Sequence, residues 1–247
     1  MSLARSRMDW EEMGTLDPCW AILSQPEKRN GRWELADFLA TGETEIAQVM
    51  RQAEQFGFPK RHDRALDFGC GMGRLTWALA HHFDHVTGID ISRPMVFRAT
   101  ALNRTGNCAF TVSNSAALPF TSQTFDLVLS AIVLQHVPDR RAIRNYIAEF
   151  SRVVRPGGLI VMQLPNHIPL RRRLQARRRL YAWLRALGIS EVVLYNQLRL
   201  HPIPMHHLPE DEVRSIFASG QCRVVKSVSD GRAGAHIESR TYYVTKE

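Results

Sequence analysis

The chain of 247 residues lacks any stretch approaching the ~20 apolar residues that a membrane-spanning helix requires, so no segment is expected to cross a bilayer. Its opening, MSLARSRMDWEE, has basic side chains but no apolar run behind them, which argues against a signal peptide. Cysteine is scarce. Cys19, Cys70, Cys108 and Cys222 stand far apart with no C-x-x-C pair, which excludes a disulfide framework and a thiolate zinc site. A reducing cytoplasm is the expected compartment. Internal repeats are lacking too, and the sequence is biased in one tract only, RRRLQARRRLYAWLR (171–185), with seven arginines and no acid. Outside it 25 basic residues face 24 acidic ones, so the net charge of +8 is a local property. A partner selected by charge would meet that segment and not the whole surface.

What is present suits one α/β domain with additions. Short apolar runs at 65–68, 85–90, 108–114, 125–134 and 159–164 alternate with amphipathic stretches, the pattern of a parallel sheet covered by helices. Ile143, Tyr146, Ile147, Phe150 and Val153 follow the i, i+3, i+4, i+7 rule of a half-buried helix. Asp139 is its expected N-cap and Arg155-Pro156-Gly157-Gly158 its expected stop. A helix at 209–219 and strands at 222–228 and 240–245, with an Asp230-Gly231 turn between the strands, complete the pattern. Two regions fall outside it. Residues 1–60 read as a helical arm, with a start signal at Asp17-Pro18 and amphipathic stretches at 34–39 and 46–56. Residues 166–208 read as an insertion, separating a cofactor-binding half (61–165) from the C-terminal helix and strands (209–247).

The chemistry gathers where the first strand meets Asp67-Phe68-Gly69-Cys70-Gly71-Met72-Gly73. Strand, glycine turn and helix are the context in which such a turn binds a nucleotide-like ligand. Arg74 occupies the place of the last glycine of G-x-G-x-x-G, which argues against a dinucleotide, whose pyrophosphate needs the helix end uncovered. Asp67 suits a ligand carrying an ammonium group. Asp90 ends the second strand, 23 residues after Asp67, where a carboxylate can accept from both hydroxyls of a ribose.

With these residues the sequence resembles the class I S-adenosylmethionine-dependent methyltransferases, in particular their small-molecule branch. The shared pieces are DFGCGMG (67–73), Asp90, NSAALPF (114–120) and RPGG (155–158), and the resemblance covers residues 64–165. It implies a Rossmann-like, mostly parallel sheet of order 3-2-1-4-5-7-6, strand 7 antiparallel, with helices on both faces. It also implies S-adenosyl-L-methionine as cofactor. Asp67 and the Gly69 backbone would hold the methionine amino end, and Gly71 and Gly73, with Cys70 between, would leave room for it. Asp90 would bind the ribose and Ile91 would lie against the adenine. Asn114 stands where the family has Asp and would accept from the adenine amino group through its carbonyl oxygen. Ser115 would add a backbone contact, and Ser130, Ala131 and Gln135 would line the end of strand four.

Methyl transfer from a sulfonium needs alignment and water exclusion more than acid–base chemistry. A base is required only for an acceptor protonated at neutral pH. His136 is the candidate by position, with packing beside the cofactor as the alternative; His167 is a weaker one. Strand four lacks the N/D-P-P-Y/F motif of nucleobase and glutamine methylation, and no acid lies between Leu127 and Pro138 to hold a catalytic metal. His201, His206 and His207 cluster without a companion acid or cysteine, so no metal is expected. The acceptor is therefore expected to be a small or lipid-like molecule.

The arginine segment has three readings: a solvated lid helix with Leu170, Leu174, Tyr181 and Leu184 as its apolar stripe, a contact for an anionic membrane or anionic substrate, and an RNA contact, the last disfavoured for want of aromatics. In the arm, Trp20, Trp33 and Phe38 could close over the methionine end or pack the arm onto the sheet. Two rival functions stay open, a non-catalytic binding member of the same fold and a nicotinamide-dependent oxidoreductase.

Overall fold

The alternation over 64–165 becomes the centre of a sheet in the computed structural model, which describes residues 2–234 and 236–247. Three helices come first, α1 (Leu3–Leu16), α2 (Pro18–Ile22) and α3 (Leu35–Phe56). β1 (Arg64–Phe68), α4 (Arg74–Leu79), β2 (His85–Asp90), α5 (Arg93–Leu102), β3 (Cys108–Val112) and β4 (Phe125–Ser130) follow. Next come α6 (Arg140–Val153) and β5 (Val154–His167), then α7 (Leu170–Arg173), α8 (Ala176–Ala186) and α9 (Glu191–Asn196) in the insertion. α10 (Glu210–Ser219), β6 (Cys222–Asp230) and β7 (Glu238–Lys246) complete the chain. Among the described residues the strands form one seven-stranded sheet, β3-β2-β1-β4-β5-β7-β6, with β7 antiparallel to both neighbours. This is the expected order. It reverses direction between β1 and β4, the switch point where ligands bind in open α/β sheets.

Period-two alternation divides the core between the two faces of the sheet. Leu66, Val128 and Ile160 pack with α6 and α10 on one face, while Ala65, Leu127 and Leu159 pack with α3 and α4 on the other. β4 is buried along its whole length, which explains its nearly continuous apolar sequence.

Three local expectations are corrected. The stretches at 34–39 and 46–56 are one helix, continuous through Gly42. A Cβ at Gly42 would lie 2.3 Å from the Arg74 carbonyl oxygen, so this glycine permits close packing of α3 on α4 and marks no break. The Asp139 cap forms, accepting from Ala142 N at 2.9 Å, but Arg155-Pro156-Gly157-Gly158 is not the helix stop. α6 ends at Val153 and β5 starts at once, with the four residues inside it at an irregularity in the β4–β5 pairing. Gly157 has φ +77, and a Cβ on Gly158 would meet the Asp126 carbonyl oxygen at 2.9 Å. Arg155 donates to Asp126 (2.9 Å), whose other carboxylate oxygen accepts from Arg64 N (2.8 Å), so the motif ties β5 to β4 and β1.

The third correction concerns the insertion. The stripe of Leu170, Leu174, Tyr181 and Leu184 is broken, because Gln175 at φ +49 separates α7 from α8. Tyr181 is buried, whereas Leu170 is 73% and Leu174 53% exposed. Arginines partly turn back onto the protein: Arg173, Arg177 and Arg178 donate to the carbonyl oxygens of Ile168, Arg199 and Pro202. No described helix is long and apolar enough to cross a membrane.

Candidate functional site

The chain leaves β1 through a turn that only glycine permits. Gly69, Gly71 and Gly73 have φ of +77, +52 and +88, and a Cβ at Gly69 would lie 2.4 Å from the Val133 side chain. The turn is stitched to β2 by backbone bonds, with Gly69 N and Cys70 N both donating to the Ile89 carbonyl oxygen. Asp90 completes the join. One carboxylate oxygen accepts from Gly71 N and the other from Ser92 N, each at 2.8 Å, while burial pushes its pKa up. Each oxygen keeps a second lone pair for a ligand hydroxyl.

A cleft opens over this turn, at the C-terminal ends of β1, β2, β3 and β4. Among the residues expected to form a site, Gly69, Gly71, Asp90, Ile91, Ser115, Ala131 and His136 line it together. Others do not. Asp67 is buried beneath the turn, where its carboxylate accepts from the Thr76 hydroxyl at 2.7 Å and burial raises its pKa to about 7. Cys70 is buried against Gly88, and Gly73 is the N-cap of α4. Asn114 is exposed and Ser113, its neighbour, lines the cleft in its place. Ser130 is buried with no hydrogen-bond partner for its hydroxyl among the described residues, and Gln135 lies behind His136.

The arm covers the cleft, but with different residues from those expected. Trp20 packs on Tyr195 at a ring distance of 5.5 Å, and Phe38 is buried with Met72, Met95 and Trp33. These are packing positions. The lining comes from Leu3, Ser6 and Trp10 of α1 and Ile22 of α2. The Trp10 carbonyl accepts from Ser92 Oγ at 3.1 Å, which pins α1 beside Asp90. No clean apolar period runs through α1, so sequence spacing carried no signal for it.

Arg74 was also missed, because its position read only as a glycine lost. It lines the cleft, 4% exposed, and donates to Glu45 at 2.9 Å and to Thr41 at 3.2 Å. Its Nε has no partner among the described residues, and Arg232 converges on the same Glu45. Arg74 thus keeps one N–H donor beside the glycine turn that no described residue takes up, suited to an anionic group.

At the opposite wall the backbone turns sharply after β4. Ile132 adopts φ +60, a strained conformation for a β-branched residue, and a short 3-10 turn, Leu134–His136, follows. His136 Nδ1 lies 2.8 Å from the Pro204 carbonyl oxygen, which can only accept, so Nδ1 carries the proton. Nε2 is then the lone-pair nitrogen, 2.9 Å from the Gln135 amide nitrogen that donates to it. Burial, with His201 and His206 nearby, lowers its pKa to about 4. It is a neutral hydrogen-bond acceptor at physiological pH and a weak proton acceptor. His167 faces His207 at a ring distance of 6.2 Å, away from the residues that line the cleft. Among the described residues no three His, Cys, Asp or Glu side chains gather as metal ligands would.

Known proteins resemble this arrangement. Residues 65–158 match the methyltransferase domain family. The 2-methyl-6-phytyl-1,4-hydroquinone methyltransferase of Synechocystis sp. is 40% identical over 163 residues, 65% of this chain and 50% of that one. Malonyl-acyl-carrier-protein O-methyltransferase of Salmonella typhimurium is 34% identical over 95 residues, 38% of this chain and 36% of that one. The chain thus spans half the length or less of these two relatives. In fold it is similar to magnesium protoporphyrin IX methyltransferase from Synechocystis, crystallised with bound SAH, at a TM-score of 0.61 and 17% identity over 98% of each chain. Residues 65–158 thus match a methyltransferase domain, and the strand order, with the glycine turn at the switch point, is that of the Rossmann-like methyltransferase fold.

Proposed function

We propose that the chain binds S-adenosyl-L-methionine in the cleft and transfers its methyl group, by in-line displacement, to a small or lipid-like acceptor. The observation that carries this is Asp90, which lines the cleft while its two oxygens grip the glycine turn and the start of α5. A ligand hydroxyl pair meeting Asp90 is thereby held at a fixed distance from Gly69 and Gly71. Ile89, Ile91, Met95 and Leu118 offer apolar walls for a flat base. Arg74 would take the carboxylate of the methionine end. Asp67, held by Thr76 under the turn, would act on the ammonium through the turn and not by direct contact.

The cofactor supplies an activated methyl group on a sulfonium, so the protein's task is alignment and exclusion of water. The arm, through Leu3, Trp10 and Ile22, closes the cleft from outside. His136 orients the acceptor by accepting a hydrogen bond at Nε2, in exchange for the one from Gln135. The reading of the partner as small or lipid-like draws on relatives whose names specify a phytyl hydroquinone and a sterol. The arginine segment is read as meeting an anionic surface or acceptor. Its support is that Arg171, Arg172 and Arg179 are exposed with no ion pair among the described residues.

Titration calorimetry with S-adenosylmethionine, S-adenosylhomocysteine and NADH tests the cofactor: the first two should bind and NADH should not. Transfer of tritium from methyl-labelled cofactor into a lipid extract tests the acceptor class, and label confined to protein or nucleic acid would refute it.

A further inference from the structure

The sequence 171–185 reads as a helix with a basic outer face, but in the fold the exposed face of α8 is apolar as well as basic. Tyr181, buried, and Leu184, half-buried, face the protein, and the Tyr181 hydroxyl donates to Glu12 of α1. Beside this stripe Leu180, Trp183 and Leu187, spaced i, i+3, i+7, are 45%, 60% and 62% exposed. Arg179 stands among them, and just ahead in the chain Leu170 and Leu174 are exposed beside Arg171 and Arg172. An outward row of leucines and a tryptophan interleaved with arginines and no acid does not solvate well, and monomeric proteins rarely display one without use. Charges of one sign select an anionic partner. A tryptophan among leucines on an exposed helix face ringed by arginines suits the headgroup–acyl boundary of an anionic bilayer better than a folded protein surface.

We infer that the outer face of α8 docks on an anionic lipid bilayer, inserting Leu180, Trp183 and Leu187 while Arg171, Arg172 and Arg179 meet the headgroups. Binding is driven by the apolar row and tuned by the arginines. The site gives this a use. α8 is tied through Tyr181 and Glu12 to α1, whose Leu3, Ser6 and Trp10 wall the cleft, so docking sets that wall beside the membrane. In that last step, and there only, the inference rests on the proposed acceptor class.

The test is sedimentation of the full chain with vesicles of phosphatidylcholine alone or mixed with phosphatidylserine. The wild type should bind the mixed vesicles, with Trp183 emission moving to shorter wavelength, a shift that W183F abolishes. L180S/W183S/L187S should bind roughly tenfold more weakly or worse, a loss of about 1.4 kcal/mol or more. R171Q/R172Q/R179Q should keep residual binding and lose most of its salt dependence. Calorimetry with S-adenosylmethionine on the same preparations reports folding and the cofactor reading separately: its failure faults that reading and leaves vesicle binding standing. No binding by the wild type, or binding unchanged in the triple serine variant, overturns the docking. So does a dimer held by this face, or an acidic protein that binds the serine variant as well as the wild type.

Discussion

The turn after β1 and the insertion after β5 both hold irregular backbone, and they do it by different means. The turn is fixed by the adjacent strand end, through glycine dihedrals, its own backbone N–H groups donating to the Ile89 carbonyl, and the Asp90 carboxylate. The insertion is fixed from far away. Its Tyr195 hydroxyl donates to Asp17 at 2.8 Å, and Arg29, donating to the Tyr195 carbonyl at 2.7 Å, sits over the rings of Trp20 and Tyr195 at 4.5 and 3.9 Å. Arm and insertion thus brace each other across more than 160 residues of sequence. Local constraint makes a rigid ligand seat, and long-range bracing allows a variable wall around the acceptor.

A matched pair of glycines gives the largest expected effect and tests that contrast directly. Gly69 and Gly188 have φ +77 and +88, but a Cβ meets Val133 at 2.4 Å at the first and nothing within 4 Å at the second. Gly69→Ala should therefore weaken cofactor binding by on the order of a hundredfold or more, and lower stability through strain plus clash. Gly188→Ala should cost only the left-handed backbone penalty, about 1–2 kcal/mol, with cofactor affinity unchanged. Calorimetry and thermal unfolding of the two variants decide it. Equal effects on binding would remove the distinction between seat and wall.

Next in size is Asp90→Ala. It removes the acceptor for Gly71 N and Ser92 N as well as the ribose contact, and should raise the cofactor Kd by roughly tenfold to a hundredfold. On the insertion side Tyr195→Phe removes the buried bond to Asp17 and should lower stability by about 1–2 kcal/mol. Limited proteolysis should then cut the arm or insertion faster, with cofactor affinity kept. A large loss of affinity in that variant would show that the brace belongs to the seat.

These expectations follow how much of each region was legible in sequence. The strands of the sheet, the glycine turn and Asp90 were legible because strand alternation and a glycine motif are local patterns tied to backbone geometry, whereas the strand order was implied only by the family resemblance. The C-terminal end of β4 was read too long, since nothing in Ser130-Ala131-Ile132-Val133 announces that Ile132 takes a left-handed conformation. Arg155-Pro156-Gly157-Gly158 was read as a helix stop because proline and glycine mark any irregularity, and only the strand pairing shows it to be one inside β5. In the arm, the aromatics Trp20 and Phe38 drew attention but are packing positions, and Ser6, Trp10 and Ile22, which no apolar period marks, reached the cleft instead. Arg74 was hidden for another reason. Its value depends on Glu45 and Arg232, 29 residues before it and far after it, which no motif connects.

The smallest expected effect concerns pH and lies on the acceptor wall. The folded pKa of His136 is about 4, below the ordinary value of 6.5, because burial penalises the charged ring. The folded state therefore favours the neutral form. The stability this represents is intact above about 6.5 and is lost as pH falls through about 4, where the unfolded chain already holds the proton. His201 and His207, also lowered to about 4 by burial, give the same sign, so the acid limb of wild-type stability is shared among them. The difference between wild type and His136→Gln isolates one member. The variant should lose less stability than the wild type between pH 6.5 and 4, measured by thermal unfolding at a series of pH values. In methyl transfer, a role for His136 as hydrogen-bond acceptor predicts a rate flat through neutrality, with its acid limb near 4 and not near 6.5. A limb centred near 6.5 that disappears in His136→Gln would mean that the ring is solvated in the working enzyme. The arm, and not His136, would then have to supply the dry wall of the cleft.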